Sequence, residues 1–245
     1  MTDLVFPATA PTTLAVAGSA ARFPVARVYC IGRNYAWSEA ERTHTSEPPA
    51  WFMKPADAVV PAQGSLPYPP GTAEFCHEIE LVVALGRGGR DIPPEQVEAH
   101  HVWGYAAGLD LTRRDLQQHA KRTGGPWEPA KAFDRSAPCS PLLPAAVCGH
   151  PRRGAVWLAV NGVERQRADV SDLLWPVAEL VAMLSRSVTL MPGDLIYTGT
   201  PVGVGPLRPG DRVHAGVAGI AEFRMTVDGP ADAVTTSPSP LQETS

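Results

Sequence analysis

The chain has 245 residues, with 21 Lys and Arg against 25 Asp and Glu, and a formal net charge of −4. This mildly acidic balance without a basic run argues against nucleic-acid binding, and 44% apolar residues exclude a disordered chain. The 22 Gly and 26 Pro follow no period, which excludes collagen and favours a fold with many turns and short strands.

Short strands bounded by Gly, Pro or Asp dominate the expected secondary structure. Residues 1–25 form a leading segment with two small strands, 14–16 and 23–25, that packs on the main domain. The tail, 229–245, is rich in Pro, Ser and Thr without periodicity, which predicts disorder. The strands expected in the main domain, 26–228, are 27–31, 78–85, 103–109, 155–160, 195–198 and 220–227.

Three helices are expected between these strands. The first, over 93–101, has proline in its first turn. The second begins at a capping box formed by Thr112 and Asp115 and ends at Gly124, and the third follows Pro176. Because strands outnumber helices and do not alternate with them, the predicted class is α+β and β-dominated.

The four cysteines, Cys30, Cys76, Cys139 and Cys148, include no C-x-x-C pair, so a zinc knuckle or thioredoxin motif is not expected. So few cysteines in a chain of this length are typical of a cytosolic protein with reduced thiols. The leading segment lacks the charged and apolar blocks of a signal peptide, and no run of about 18 apolar residues predicts a transmembrane helix. The sequence therefore predicts a cytoplasmic protein without a membrane segment.

The most informative segment is the apolar strand that carries two carboxylates. Glu78 and Glu80 share one face of this strand, which is otherwise apolar on both faces and is therefore expected to be central in its sheet. Two like charges at such a place need a compensating cation. Asp110 ends the next apolar run, so the three acids predict a site for Mg²⁺, Mn²⁺ or Ca²⁺. The alternative is that Glu78 and Glu80 lie at a solvated strand end and that Asp110 is an ordinary loop acid.

Other polar residues near these strands are open to two interpretations each. The Gly-rich loop 197–206 presents N–H groups and hydroxyls to a small carboxylate, or it is a tight structural turn. Lys131, in an apolar and turn-rich stretch, is catalytic or, as is commoner for a lone lysine, reaches solvent. Arg33 directly follows a strand, where loop residues often bind ligands. Arg114 and Gln117 lie one helical turn apart and face the same site or solvent.

Seven motifs in order resemble the fumarylacetoacetate hydrolase family over roughly 25–228, and within it the small bacterial acylpyruvate hydrolases. The motifs are Gly32-Arg-Asn-Tyr35, Phe52-Met-Lys-Pro55, His77-Glu-Ile-Glu-Leu81, Gly108-Leu-Asp110 with Arg114-Asp-Leu-Gln117, Pro126-Trp127 with Lys131-Ala-Phe133, Leu190-Met-Pro-Gly-Asp194, and Thr198-Gly-Thr-Pro201 with Gly203-Val-Gly205. The resemblance implies a β-rich mixed sandwich roll, a homodimer, and one Mg²⁺ or Mn²⁺ per subunit.

The same resemblance implies a reaction and roles for single residues. The reaction is hydrolysis of the C3–C4 bond of a 2,4-dioxo acid such as fumarylpyruvate, to pyruvate and a carboxylic acid. Lys131 matches a lysine that stabilises the developing enolate. The positions that match metal ligands are Glu78, Glu80 and Asp110. The positions that match or lie beside substrate-binding groups are Arg33, Arg114, Gln117 and Thr200.

The chain departs from the family in the lid that follows the first motif. Family hydrolases carry a His and a Glu there to activate water, and the matching positions are Ser38 and Glu41. His44 shares a face with Glu41 if the lid is helical, or else is an exposed loop residue. The missing His opens a second hypothesis, a decarboxylase, hydratase or tautomerase that acts on a 2-oxo acid through an enolate. A third, a non-enzymatic binder of 2-oxo acids, is disfavoured by the complete ligand set and Lys131.

Overall fold

The computed structural model describes residues 4–36 and 49–230 of the chain. These residues contain eighteen short strands and five α-helices. The strands are β1 (Thr13–Ala15), β2 (Arg22–Pro24), β3 (Val28–Ile31), β4 (Trp51–Lys54), β5 (Val59–Pro61), β6 (Gly64–Tyr68), β7 (Phe75–His77), β8 (Ile79–Leu85), β9 (Val102–Leu109), β10 (Thr112–Arg113), β11 (Ala137–Cys139), β12 (Leu143–Pro144), β13 (Ala155–Val160), β14 (Val163–Asp169), β15 (Leu195–Tyr197), β16 (Gly205–Pro206), β17 (Arg212–Val217) and β18 (Ala221–Pro230). The helices are α1 (Pro94–His100), α2 (Arg114–Thr123), α3 (Glu128–Lys131), α4 (Ala145–Cys148) and α5 (Val177–Ser187). Strands thus dominate the α+β fold, and the predicted class is confirmed.

The strands form four sheets, and two of them pack face to face. The eight-stranded sheet has the order β4–β3–β15–β8–β9–β11–β5, with β12 paired to β9. Its pairing is mixed, since β3 is parallel to β15 and β5 is parallel to β11, whereas the other pairs are antiparallel. The five-stranded sheet, β14–β13–β17–β18–β6, covers one of its faces. This curled arrangement is the mixed sandwich roll that the family resemblance implies.

Strand β8 lies at the centre of the large sheet and contributes to a core on each side. Its odd-numbered residues lie in a core shared with the five-stranded sheet and helix α5. The even-numbered Val82 and Ala84 lie in a second core with strands β3 and β15. Every residue of β8 is buried. The prediction of a central strand covered on both faces is therefore correct, and Glu80 points to the side of the second core.

The leading hairpin, β1–β2, packs on the second core. Leu14 and Phe23 are buried there, and the Phe23 ring lies 5.1 Å from the ring of Trp103. The backbone N–H of Ala17 donates to the carbonyl of Leu142. These contacts attach the segment to the domain. Among the residues described, no helix has the length and apolar character needed to cross a membrane.

Two expectations about local structure need correction. The chain around the acidic strand is interrupted at Glu78, which separates β7, in the small sheet β10–β7–β16, from β8. The capping box is wrong, because Thr112 belongs to β10 and helix α2 begins without a side-chain cap. The Asp115 carboxylate instead accepts hydrogen bonds from the Thr72 hydroxyl and the Ala73 N–H. Hydrogen bonds from a loop distant in sequence thus take the place of the expected local cap.

Candidate metal centre

Three carboxylates meet at one edge of the large sheet. Glu78 precedes β8, Glu80 is its second residue, and Asp110 directly follows β9. Because β8 and β9 are antiparallel, the start of one lies beside the end of the other, and the Asp110 N–H donates to the Glu78 carbonyl at 2.9 Å. One ligand oxygen from each carboxylate lies within 4.8 Å of the other two, and all three residues are buried.

Two buried lysines balance part of this negative charge. Lys131 ends helix α3, and its Nζ lies 2.8 Å from Glu78 Oε2 and 2.8 Å from Asp110 Oδ2. Lys54 ends β4, and its Nζ lies 2.9 Å from Asp110 Oδ1. Lys54 also donates to the backbone carbonyls of Leu111 and Lys131. The interpretation that Lys131 reaches solvent is therefore wrong, because its partners hold it 2% exposed.

Burial and charge act in opposite directions on the ionisation of these groups. Burial would raise the pKa of Asp110, but Lys131 and Lys54 outweigh it and hold this pKa below its ordinary value. Burial would lower the pKa of Lys131, but Asp110 and Glu78 outweigh it and raise this pKa above its ordinary value. The cluster thus favours the protonated form of Lys131, which donates hydrogen bonds to both carboxylates.

Glu80 is a carboxylate that pairs with no cation in the described part of the chain. Its Oε2 accepts one hydrogen bond, from the Gly199 N–H at 2.8 Å. Burial, followed by the charge of Asp110, raises the pKa of Glu80 well above its ordinary value. Asp110 Oδ1 accepts no well-directed hydrogen bond, although the Lys54 Nζ is close. A cation or a proton must balance the remaining charge, and such oxygen donors fit a divalent metal ion.

Arg114 and Gln117 border the same cluster, as one of the two interpretations expects. Arg114 is the first residue of α2, and its Nη1 lies 3.8 Å from Glu78 Oε1. The same nitrogen donates to Gln117 Oε1 at 2.8 Å. Gln117 is buried, whereas the Arg114 side chain is 22% exposed. The pair therefore lies at the rim of the cluster with the guanidinium partly open to solvent.

Of the remaining sequence candidates, the two that the structure describes form no hydrogen bond or ion pair with the three acids. Thr200 lies in the Gly-rich loop, and its hydroxyl donates to the Ile79 carbonyl at 2.8 Å. Arg33 is exposed and forms no ion pair with a described residue, so this structure does not join it to the cluster. Glu41 and His44, together with Ser38, lie outside the described residues.

Two groups of the cluster escape the sequence analysis. Lys54 carried no signal in the local sequence, because its inward position is visible only in the structure, where Trp51 and Met53 are exposed and Phe52 and Lys54 alternate with them. A lysine at an inward position of a strand indicates a buried partner. For the Gly199 N–H, the sequence signal was limited to the suggestion that its loop binds a carboxylate. That carboxylate is one of the protein's own, on Glu80.

Comparisons with known proteins agree with this geometry. Residues 27–228 match the fumarylacetoacetate hydrolase C-terminal family. The crystal structure of a fumarylpyruvate hydrolase from Pseudomonas aeruginosa, in complex with Mn²⁺ and pyruvate, is 51% identical, with a TM-score of 0.87 over 92% of this chain and 99% of that one. A fumarylpyruvate hydrolase from a Ralstonia species is 43% identical over 74% of this chain and 93% of its own length. An oxaloacetate tautomerase from Escherichia coli is 40% identical over 86% of this chain and 93% of its own length. With its sandwich roll, acidic cluster and matching sequence over most of its length, the chain belongs to the fumarylacetoacetate hydrolase family.

Proposed function

We propose that the protein is a metal-dependent hydrolase that cleaves the C3–C4 bond of a 2,4-dioxo acid such as fumarylpyruvate. The observation that carries the proposal is the buried cluster of Glu78, Glu80 and Asp110 beside Lys131. Water adds to the C4 carbonyl, the C3–C4 bonding pair passes into the enolate of pyruvate, and a proton returns to C3. The likeness to a hydrolase crystallised with Mn²⁺ and pyruvate supports this choice, because pyruvate is one expected product.

The three acids would hold Mg²⁺ or Mn²⁺, both of which prefer carboxylate oxygens. When bound, such a cation acts as a Lewis acid toward the carboxylate and 2-oxo group of the substrate. Glu80 would then stay ionised, because the positive charge opposes the effect of burial on its pKa.

Lys131 supplies the fixed positive charge of the site. Its Nζ is held by two carboxylates and lies 5.0 Å from the centre of the Phe52 ring. A protonated donor that is already oriented stabilises negative charge on the departing enolate with little reorganisation. Because Lys131 stays protonated, it acts by charge and by donating hydrogen bonds.

Arg114 and Thr200 would orient the rest of the substrate. Arg114, held by Gln117 and partly exposed, binds the carboxylate at the far end of a fumaryl group. The Thr200 hydroxyl donates its hydrogen to Ile79 and accepts one hydrogen bond from Gln166, so one lone pair remains to accept from the substrate. Arg33 would also bind the substrate, from the exposed rim of the site.

Water activation is assigned to Glu41, with or without His44. Ser38 stands where the family carries its lid histidine, so the carboxylate would act without the usual partner. We also propose a homodimer, which the family resemblance implies, and a cytoplasmic location, which the bacterial hydrolases among the relatives favour.

An assay for pyruvate tests the hydrolase directly. Fumarylpyruvate or acetylpyruvate with Mn²⁺ or Mg²⁺ should yield pyruvate, measured by a coupled dehydrogenase, and chelation should stop the reaction. Glu78→Ala is the control, because it removes one proposed ligand. Pyruvate release no faster than in Glu78→Ala would exclude hydrolysis.

Tautomerisation of oxaloacetate is the second candidate, favoured by the 40% identical tautomerase and by Ser38. Keto–enol exchange moves a proton at C3 and needs no activated water. Loss of the enol absorbance of oxaloacetate without pyruvate release would identify this activity. Ser38→His should raise hydrolysis if a lid base is limiting, and an unchanged rate would contradict the assignment of the lid.

A further inference from the structure

Gln166 is the one buried residue of strand β14, and its amide joins two chain segments at the metal centre. Gln166 Oε1 lies 2.8 Å from His77 Nδ1 and accepts from the Ile79 N–H at 3.2 Å. Gln166 Nε2 donates to Thr200 Oγ1 and to the Pro201 carbonyl, both at 2.8 Å. All four hydrogen-bonding positions of the amide are therefore used.

Backbone groups fix the orientation of this amide. The Ile79 N–H can only donate and the Pro201 carbonyl can only accept, so Gln166 Oε1 must face Ile79 and Nε2 must face Pro201. It follows that His77 carries a hydrogen on Nδ1, which it donates to Gln166. These hydrogen bonds therefore allow only one placement of the amide oxygen, the amide nitrogen and the His77 ring hydrogen.

The peptide groups that Gln166 controls are those between two proposed ligands. Ile79 separates Glu78 from Glu80. Its N–H is bound by Gln166, and its carbonyl accepts from the Thr200 hydroxyl that Gln166 also binds. One side chain therefore fixes both peptide units that join the two carboxylates.

We propose that Gln166 is a positioning residue, which sets the separation of Glu78 and Glu80 for the cation and holds Thr200 against the Ile79 carbonyl between them. Its hydrogen bonds reach His77, Ile79, Thr200 and Pro201, and none goes to the carboxylates of Glu78 and Glu80. The inference rests on the proposed function in taking Glu78 and Glu80 as ligands. It adds that the metal centre depends on a residue of the other large sheet.

Gln166→Met tests the proposal, because methionine has a similar length and cannot make these hydrogen bonds. Mn²⁺ affinity, measured by isothermal titration calorimetry without substrate, should fall about 10–100-fold, as for other residues that orient metal ligands. Ser185→Ala is the matched control, since it removes buried hydrogen bonds to Ile92 and Ala182 elsewhere in the domain. That variant should lower the melting temperature and leave Mn²⁺ affinity unchanged.

A double-mutant cycle separates positioning from general destabilisation. Thr200→Val breaks the half of the network that reaches the Ile79 carbonyl, and Thr200→Ser keeps it. If Gln166 acts through Thr200, the double variant with Gln166→Met and Thr200→Val should lose little more Mn²⁺ affinity than Gln166→Met alone. Thr200→Ser should bind Mn²⁺ as the unchanged protein does.

The outcomes distinguish this inference from the proposed function. Absence of Mn²⁺ binding by the unchanged protein would contradict the proposed function itself. Normal Mn²⁺ binding by a folded Gln166→Met variant would overturn the role of Gln166 alone. If Gln166→Met fails to fold by circular dichroism, Thr200→Val decides, and unchanged Mn²⁺ affinity in that variant would overturn the inference.

Discussion

Lys131 keeps a full positive charge in the interior because two carboxylates share it. Its ammonium group lies 2.8 Å from an oxygen of Glu78 and 2.8 Å from an oxygen of Asp110. Without such partners, a buried lysine would lose its proton or oppose folding. With them, the charge is fixed in an environment of low dielectric, where it acts more strongly than in water.

Replacement of Lys131 should separate catalysis from metal binding. Lys131→Met keeps the length of the side chain and removes the charge, so kcat for pyruvate release should fall about 10²–10³-fold. Mn²⁺ affinity should not fall, because a neighbouring positive charge is lost and no proposed ligand is. Steady-state rates and calorimetry with Mn²⁺ measure the two effects. Weaker Mn²⁺ binding with an unchanged kcat would make Lys131 a structural residue.

At the scale of elements, the loop after β15 shows why glycine is needed at one position. Gly199 has a φ of +106°, and a Cβ atom there would lie 2.7 Å from the Cβ of Asn34. Asn34 cannot shift easily, because its amide donates to the carbonyls of Thr198 and Trp175. The loop is therefore a tight turn that also directs the Gly199 N–H to Glu80.

Two glycine replacements test this account of the loop. Gly210 has a φ of +90° but open space around a Cβ atom, so Gly210→Ala should cost only the backbone strain, about 1–3 kcal/mol. Gly199→Ala should cost more, because it adds the clash with Asn34, and it should also weaken Mn²⁺ binding. Urea unfolding and calorimetry measure both effects. Equal losses of stability in the two variants would contradict the steric argument.

The elements that the sequence predicts are those with strong local patterns. The apolar strands β3, β8, β9, β13, β15 and β18 were expected, as were helices α1, α2 and α5. Strand β14 was missed because it lies at the edge of its sheet and carries exposed charged residues, so it lacks a strand-like hydrophobic pattern, whereas β4 is apolar but only four residues long. The false capping box has the opposite cause, since Asp115 fits the local motif but bonds to residues distant in sequence.

For the whole molecule, the acidic cluster lies where the two cores meet along β8. Five separate segments build the cluster, and they contribute Lys54, Glu78 with Glu80, Asp110, Lys131 and the Gly199 N–H. No single segment contains it. The cluster forms only when these segments have folded together. Binding of a metal ion there would therefore stabilise the folded state against the unfolded one.

Stability should depend on pH in a way that a metal ion reverses. The pKa of Glu80 in the folded protein lies well above its ordinary value of 4.5, so the folded state binds more protons than the unfolded state above that pH. Through Glu80, the metal-free protein should therefore lose stability as pH rises above 4.5, opposed by buried His77, whose lowered pKa acts in the other direction, and the increase in melting temperature caused by Mn²⁺ should grow with pH. Scanning calorimetry measures this trend. Glu80→Gln should flatten the metal-free curve, and a shift that stays constant with pH would contradict the argument.

The candidate site was partly predictable for a physical reason. Two acids in an apolar strand and a third at the end of the next are a local anomaly, visible without any partner. The role of Lys131 came only from the family resemblance, because its partners lie 21 and 53 residues away. The contacts of Lys54 and Gln166 depend on which strands become neighbours, and the local sequence does not contain that information.

The excess negative charge around Glu80 has a consequence for the lifetime of the protein in a cell. A chain that has folded but not yet acquired its cation would open more often, and proteases act on opened chains. The supply of divalent ions would then control how much enzyme accumulates, as well as how fast each molecule works. The same acids that would bind the cation lower the stability of the metal-free fold, so metal binding and durability place opposite demands on these positions.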